Sequence, residues 1–429
     1  MQFILTTLGC KVNQYESSSL CAELAGLGYT PAETVEAADI FILNSCAVTE
    51  SASRKTRQLI NSAKKKNPRA ITVLSGCYPQ AYPEEARKLN PDIIIGTAER
   101  KNLPVLIDEF LQRRAVIDRI TENPDTYEET GVFNAKTGRT RAFVKIQDGC
   151  DCNCAYCIVP SARGNPRSRP LENIKEEAKA AKNAGFREIV LTGINLTKHE
   201  DLCGAVSIVA EFAERLRLSS VEPDLLTDDI LNRLAKIENL CPHFHLSLQS
   251  GSNSVLKRMS RRYTADEYRK KVQKICELFG NREETCAFTT DMMTGFPEET
   301  EEEFKESLSF ALEMKFAKIH VFPFSPRPGT NAASMENQVP ENIKLERRNR
   351  LLQTAEEMRR EFFCAQVGKT LRVLVEKRTS DDEVFGHSEN YTPVKILSKT
   401  VQRNEIINIK ITQANEKYCT GTEVENAVN

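Results

Sequence analysis

Residues 148–157 read DGCDCNCAYC, which places four cysteines within ten positions. Cys150, Cys154 and Cys157 form C-x3-C-x2-C, and Cys152 sits inside that spacing. Directly upstream, FVKIQDG (143–149) is rich in apolar and β-branched residues and reads as a strand. The thiols therefore stand at the C-terminal end of a strand, and the fold that presents them depends on what surrounds it.

Working outward, the same pattern recurs downstream. REIVLTG (187–193), RLRLSSVEP (215–223), HFHLSLQSG (243–251), TCAFTTDMMTGFP (285–297) and AKIHVFPFSPRPG (317–329) all read as strands. Helical stretches such as NIKEEAKAAKNAG and TADEYRKKVQKICELFG separate them. Alternating β and α units imply a parallel sheet with right-handed crossovers. Six such units describe an open relative of the (β/α)8 barrel, whose active site lies at the C-terminal ends of its strands. Gly193, Glu222, Gln249, Ser250 and Gly295 fall at those ends, next to the cysteine loop. Gly193 and Gly295 there read equally as sites of close backbone approach or as turns. His243 and His245 alternate along one strand and read as core or rim histidines.

Upstream, MQFILTTLG, ADIFILNSC, AITVLSGC and PDIIIGT alternate with helical segments, including SSSLCAELAGLG and a basic run from Arg54 to Lys66. Three of these strands end on or next to a cysteine: Cys10, Cys46 and Cys77. In a parallel sheet the C-terminal strand ends share one edge, so three thiols are expected at one rim. Residues 119–140 are polar and without period, as a linker is. After residue 366 come short β runs, LRVLVEK, VFGHSENYTPVKI and EIINIKITQAN, which suggest a small barrel. The expected architecture is α/β: an open parallel sheet (1–118), a linker (119–140), a partial (β/α)6 barrel (141–366) and a small all-β barrel (367–429).

Composition narrows the class. Of the 429 residues 40% are hydrophobic and 28% charged, with a formal net charge of −1, so any nucleic-acid partner must be met by local patches. The N-terminus lacks a basic n-region and no run is long enough to span a membrane, which leads to a cytoplasmic expectation. There clustered thiols serve metal or redox chemistry.

Structural zinc asks for four N or S ligands in a closed tetrahedron, and drawing both Cys152 and Cys154 into one site is cramped. Three thiolates on a [4Fe–4S] cubane leave one iron open to a ligand. The loop resembles the signature of the radical S-adenosylmethionine (SAM) enzymes, C-x3-C-x-aromatic-C, with Tyr156 as the aromatic residue. Together with TLGCKVNQYES, NSCAVTE, SGCYPQ, LSSVEP, LSLQSGS, MSRRYT and TGFPEET, the chain resembles the methylthiotransferase family of those enzymes over nearly its whole length.

That resemblance implies two [4Fe–4S] clusters, one on Cys150, Cys154 and Cys157 that binds and cleaves SAM, and a second on Cys10, Cys46 and Cys77. Cys152 becomes a bystander. Tyr156, Gly193, Glu222, Gln249, Ser250 and Gly295 become candidates for the cofactor site. The terminal barrel becomes a TRAM-type RNA-binding unit. The implied reaction converts a C–H bond to C–S–CH3, with electrons from a low-potential donor such as flavodoxin or ferredoxin and sulfur from a separate source. The opening TLGCKVNQYES is similar to the branch acting at C2 of N6-threonylcarbamoyladenosine, just 3′ of the tRNA anticodon, and the anticodon stem-loop is the implied partner. Arg261 and Arg262 are the candidate substrate cations. Isopentenyladenosine tRNA and a ribosomal aspartyl residue are the family's other substrates, and a non-catalytic, metal-stapled RNA-binding protein is the alternative from another class.

Overall fold

A computed structural model describes residues 1–129, 138–279 and 286–424. Residues 130–137 of the expected linker, Gly280 and Thr285 at the ends of two expected elements, and 425–429 of the terminal region lie outside the described residues. No described helix is long and apolar enough to cross a membrane.

The N-terminal sheet contains β1 (Gln2–Thr7), β2 (Thr30–Pro31), β3 (Ile40–Ser45), β4 (Ile71–Gly76), β5 (Ile93–Ile95) and β6 (Ile117–Arg119), in the order β2-β1-β3-β4-β5-β6. Its pairings are parallel. β3 and β4 are buried along their whole length, which is why they read as unbroken apolar runs. The helix after β1 runs Lys11–Gly26, six residues earlier than its apolar period indicates. Its first turns bury Asn13, Glu16, Ser17 and Ser19, and a polar buried face hides from a hydrophobic pattern. The basic run Arg54–Lys66 lies on the helix Glu50–Lys66, where Arg54 and Lys55 face solvent and Arg57 pairs with Glu50.

The central domain begins with β7 (Arg141–Lys145). The short β8 (Gln147–Asp148) and β9 (Arg167–Ser168) form an antiparallel ribbon beside it. Next come β10 (Glu188–Thr192), β11 (Arg215–Leu218), β12 (Ser220–Val221), β13 (His243–Leu246), β14 (Ala287–Thr294) and β15 (Lys318–Pro323). One parallel sheet runs β11-β10-β7 and another β12-β13-β14-β15. β11 and β12 are two halves of the run RLRLSSVEP, broken at Ser219, so the two sheets form one arc of six strands, as the sequence indicates. Residues such as Ile189, Leu191, Phe244, Leu246 and Ile319 face outward into the helix-packed core. Their alternates, among them Glu188, Arg217, His245, Asp291 and His320, face the interior. Most α/β barrels fill that space with branched apolar side chains, whereas this one is polar.

The terminal barrel is closed: β16 (Thr370–Ser380), β17 (Glu383–Ser388), β18 (Pro393–Leu397), β19 (Ile406–Ala414) and β20 (Cys419–Glu423), in the order β16-β17-β18-β20-β19. The run VFGHSENYTPVKI is two strands joined by the Glu389–Thr392 turn, and β20 has no long apolar run to announce it. That turn packs against the N-terminal ends of the central strands. Arg215 donates to the carbonyls of Arg372 (3.0 Å) and Ser388 (2.9 Å), and Arg217 donates to that of Glu389 (2.9 Å). Tyr391 stacks on His243 with ring centroids 5.2 Å apart and lies under the guanidinium of Arg217.

Candidate functional site

The two cysteine groups occupy two strand rims. Cys10, Cys46 and Cys77 follow β1, β3 and β4, whose parallel register aligns Thr7 with Asn44 and Ser45 with Gly76. Cys10 is exposed, and Cys46 and Cys77 are buried. The chain reaches Cys10 through Gly9 at φ +101°, and a Cβ there would stand 3.0 Å from the Cys46 sulfur. Only glycine takes this turn and lets the two thiols approach. Burial pushes the Cys46 thiol up to about 12, with Cys77 and Cys10 adding to it, and raises Cys77 as well. A metal that binds here must displace protons.

The second loop is built by backbone bonds. Cys150 N–H donates to Gly164 O (3.0 Å), Cys157 N–H to Cys154 O (3.0 Å) and Ala155 N–H to Met259 O (3.0 Å). Gly149 at φ +75° admits no side chain, because a Cβ would lie 1.9 Å from the Asn165 carbonyl. Donors converge on the sulfurs. Asn195 Nδ2 points at Cys150 (3.9 Å) and Cys152 (3.6 Å), and Arg261 Nη1 at Cys154 (3.3 Å). On the other rim, Val48 N–H donates to the Cys46 sulfur (3.5 Å). N–H donors aimed at sulfur suit thiolates carrying a cluster's negative charge. The sulfurs of Cys150 and Cys152 and an Asp151 oxygen lie within 4.8 Å of one another. Cys152 therefore stands beside Cys150, closer than a bystander needs to be. Three thiols with N–H donors aimed at them are a donor set that suits a [4Fe–4S] cubane, which attaches each thiolate to a different iron and asks for wider spacing than one shared ion.

A buried ionic network joins the rims. Arg163, at the end of the helix Val159–Arg163 that follows Cys157, donates to Glu16 (2.9 Å), Asp148 (2.9 Å) and Asn13 (2.8 Å). Asn13 in turn accepts from the Cys10 thiol (3.5 Å) and donates to the carbonyls of Leu8 and Ser45 (both 2.9 Å). Arg163 is also an electrostatic neighbour of Cys77, whose helix packs against its own. Lys145 bridges Glu16 (2.9 Å) and Asp148 (2.6 Å), and Arg100 completes the cage on Glu16 (2.8 Å). Burial raises the Glu16 and Asp148 carboxyls, but the surrounding cations outweigh it and hold both below the usual range. Sequence reading singled out none of these residues, since partners up to 150 positions apart share no pattern.

The other expected site residues fall into two groups. Glu222 and Tyr156 stand against the cysteine loop, joined through Arg261. Arg261 forms a short ion pair with Glu222 and contacts Tyr156 Oη (3.5 Å) and Tyr263 Oη (2.8 Å). Burial pushes the Glu222 carboxyl up, against the pull of Arg261. Gly193 packs on Gln147, where a Cβ would stand 3.1 Å from the Gln147 Cβ. Gln249 sits at a strand end, its N–H bonded to Asp291 O (2.8 Å). Ser250 and Gly295 face other ways. The Ser250 hydroxyl bonds to Ser307 (3.0 Å), and Gly295 leaves room for Lys344, whose Cγ a Cβ would meet at 2.3 Å. Arg262 is exposed and bonds to Asp151 O (3.4 Å).

Sequence patterns of three known families match the chain: the Uncharacterized protein family UPF0004 at residues 2–96, the Radical SAM superfamily at 144–311, and the TRAM domain at 365–424. Among solved structures, the radical SAM methyltransferase TsrM from Kitasatospora setae superposes with a TM-score of 0.56 at 12% identity over 77% of each chain, a likeness of fold. Curated relatives extend over nearly the full length. The threonylcarbamoyladenosine tRNA methylthiotransferase MtaB of Bacillus subtilis is 36% identical over 97% of this chain and 94% of its own. A tRNA-2-methylthio-N(6)-dimethylallyladenosine synthase of Clostridium botulinum is 36% identical over 99% of this chain and 97% of its own. With the three family patterns in the order of its three structural parts and relatives of this identity end to end, the chain belongs to the methylthiotransferase family of radical SAM enzymes.

Proposed function

We propose that the protein is a tRNA methylthiotransferase that adds a methylthio group to C2 of N6-threonylcarbamoyladenosine, just 3′ of the anticodon. The observation that carries this reading is the pair of cysteine rims tied together through Asn13 and Arg163. One radical-generating site and one sulfur-bearing site must meet around a single substrate carbon, and the network supplies that registration. Cys150, Cys154 and Cys157 hold the SAM-binding [4Fe–4S] cluster, and Cys10, Cys46 and Cys77 hold the second. When bound, the clusters and SAM supply reductive bond cleavage, hydrogen abstraction from an unactivated C–H bond, and a methylated sulfur.

The chain's own residues do the rest. Asn195 and Arg261 donate to the loop sulfurs and so stabilise their negative charge. Glu222 holds Arg261 in place and, with Tyr156, walls the SAM side of the site. Asn13 and Arg163 fix the second rim against the first. Units 1–118, 141–366 and 367–429, with the connector 119–140, divide the work as cluster domain, barrel and RNA-binding module. We place the protein in the cytoplasm, supplied by a low-potential electron donor such as flavodoxin or ferredoxin and by a separate sulfur source.

The threonylcarbamoyl substrate is supported by TLGCKVNQYES and by the MtaB relatives of Bacillus subtilis and Thermotoga maritima. The equal identity to the Clostridium botulinum synthase makes the dimethylallyl base the second reading. Nucleoside mass spectrometry of tRNA from cells with and without the gene tests the choice. The 2-methylthio derivative of threonylcarbamoyladenosine should vanish in the deletion strain. Loss of the dimethylallyl derivative instead would favour the second reading.

A further inference from the structure

The barrel interior holds a polar cluster one layer below the rim. His245 on β13, Asp291 on β14 and His320 on β15 present ring nitrogens and a carboxylate oxygen all within 4.8 Å of one another. His245 Nε2 stands 3.5 Å from Asp291 Oδ2, and its Nδ1 stands 3.0 Å from Thr289 Oγ1. Asp291 and His320 are register partners, and the His245 and His320 rings are 6.0 Å apart. Lys11, the residue after Cys10, enters from the N-terminal domain and has Asp291, Arg141 and Arg217 as electrostatic neighbours. Lys11 is exposed as a residue, although burial of its ammonium lowers its pKa, Asp291's side chain is 33% exposed, and Phe322, two residues beyond His320 on the same face, is 44% exposed. Solvent-accessible side chains that face the inside of a barrel line a chamber, and this chamber adjoins Cys10.

The charge of the chamber selects its occupant. Lys11, Arg141, Arg215, Arg217 and Lys318 contribute positive charge near it, whereas Asp291, Glu188 and Glu376 are the facing carboxylates. Glu188 is already held by three arginines. A surplus of cations disfavours a further metal ion, although two imidazoles and a carboxylate are a set that metals use. An anionic organic group with hydroxyl or N–H donors fits better. Arg261 is committed to Glu222, Cys154 and two tyrosines, so the substrate's anion needs another cation.

We propose that Lys11, His245, Asp291 and His320 form the subsite for the carboxylate-bearing N6 substituent of the substrate adenosine. The Lys11 ammonium and the imidazole N–H groups meet the carboxylate, Asp291 accepts from the substituent's hydroxyl or ureido N–H, and Phe322 flanks the base. The assignment rests on the threonylcarbamoyl reading above. A hydrogen bond to a charged group contributes roughly 10- to 100-fold in affinity, and a site built for it rejects a ligand that leaves it unpaired.

The test uses the full-length, anaerobically reconstituted protein and fluorescently labelled anticodon stem-loops carrying threonylcarbamoyladenosine, its methyl ester, isopentenyladenosine or adenosine. The wild type should bind the free acid at least about tenfold more tightly than the ester. Lys11→Met should collapse that ratio towards one. Because Lys11 adjoins a cysteine, iron is measured alongside, and His320→Gln, remote from both cysteine rims in sequence, must also reduce the ratio. Wild-type ratios in both variants would overturn the subsite and leave the function standing. One extra equivalent of zinc, manganese or iron that disappears in Asp291→Asn would overturn it in favour of a cation site. A wild type that prefers the isopentenyl loop would instead refute the threonylcarbamoyl reading, before any variant is compared.

Discussion

At the scale of single residues, the placement of six cysteines at strand ends was the most legible part of the molecule. Each follows a strand whose apolar run marks its position, and two of them come directly after Gly9 and Gly149, where no other residue fits. Reconstitution should load roughly eight irons per chain, and replacing either trio with alanine should leave roughly four. Only the variant lacking Cys150, Cys154 and Cys157 should lose SAM cleavage to 5′-deoxyadenosine. Zinc in place of iron in the wild type would contradict the assignment. Cys152→Ser should keep its iron and its cleavage rate, since the C-x3-C-x2-C motif is complete without it. Loss of one cluster in that variant would move the ligand assignment by one sulfur. The chamber residues were less visible. His243 and His245 announced themselves by alternation, and His243 is the buried core histidine that pattern implies. Asp291 and His320 share no spacing with them, and only the parallel pairing of β13, β14 and β15 brings them together.

At the scale of elements, the strands of the arc were readable because their outward faces are Val, Ile, Leu and Phe. The first helix was misread at its start because its buried turns are polar. Those turns carry Glu16, whose environment makes a stability prediction. Removing one partner of a buried ionic network costs about 3–5 kcal/mol, so Glu16→Gln should lower the urea midpoint accordingly. The Glu16 carboxyl is held below its ordinary value, so its contribution is present above the unfolded value of about 4.3 and fades as pH falls through the folded one. The metal-free wild type should therefore lose stability as pH drops below about 4.3, and Glu16→Gln should show a shallower loss. Parallel curves for the two proteins would remove Glu16 from the linkage.

At the scale of the whole molecule, the terminal barrel is part of the structure beneath the central domain. Deleting residues from 367 onward would strip Arg215 and Arg217 of their carbonyl acceptors and His243 of Tyr391. Losing this packed face and its hydrogen bonds removes stabilising contacts, so the truncated chain should melt at lower temperature than the full one. An unchanged melting temperature would mark the barrel as an independent appendage. This docking was not readable from the sequence, because the contacts are arginine side chains against backbone carbonyls and carry no residue code. Binding of tRNA by the intact protein should weaken as salt rises, since phosphate contacts release counterions.

The most direct measurement offers the reconstituted enzyme three tRNAs, carrying threonylcarbamoyladenosine, isopentenyladenosine or unmodified adenosine, with SAM, reductant and sulfide, and follows the nucleosides by mass spectrometry. The expected result is methylthio product on the threonylcarbamoyl tRNA, with the other two unchanged. Product on the isopentenyl tRNA alone, or on no tRNA while both clusters are loaded and SAM is cleaved, would contradict the assigned substrate.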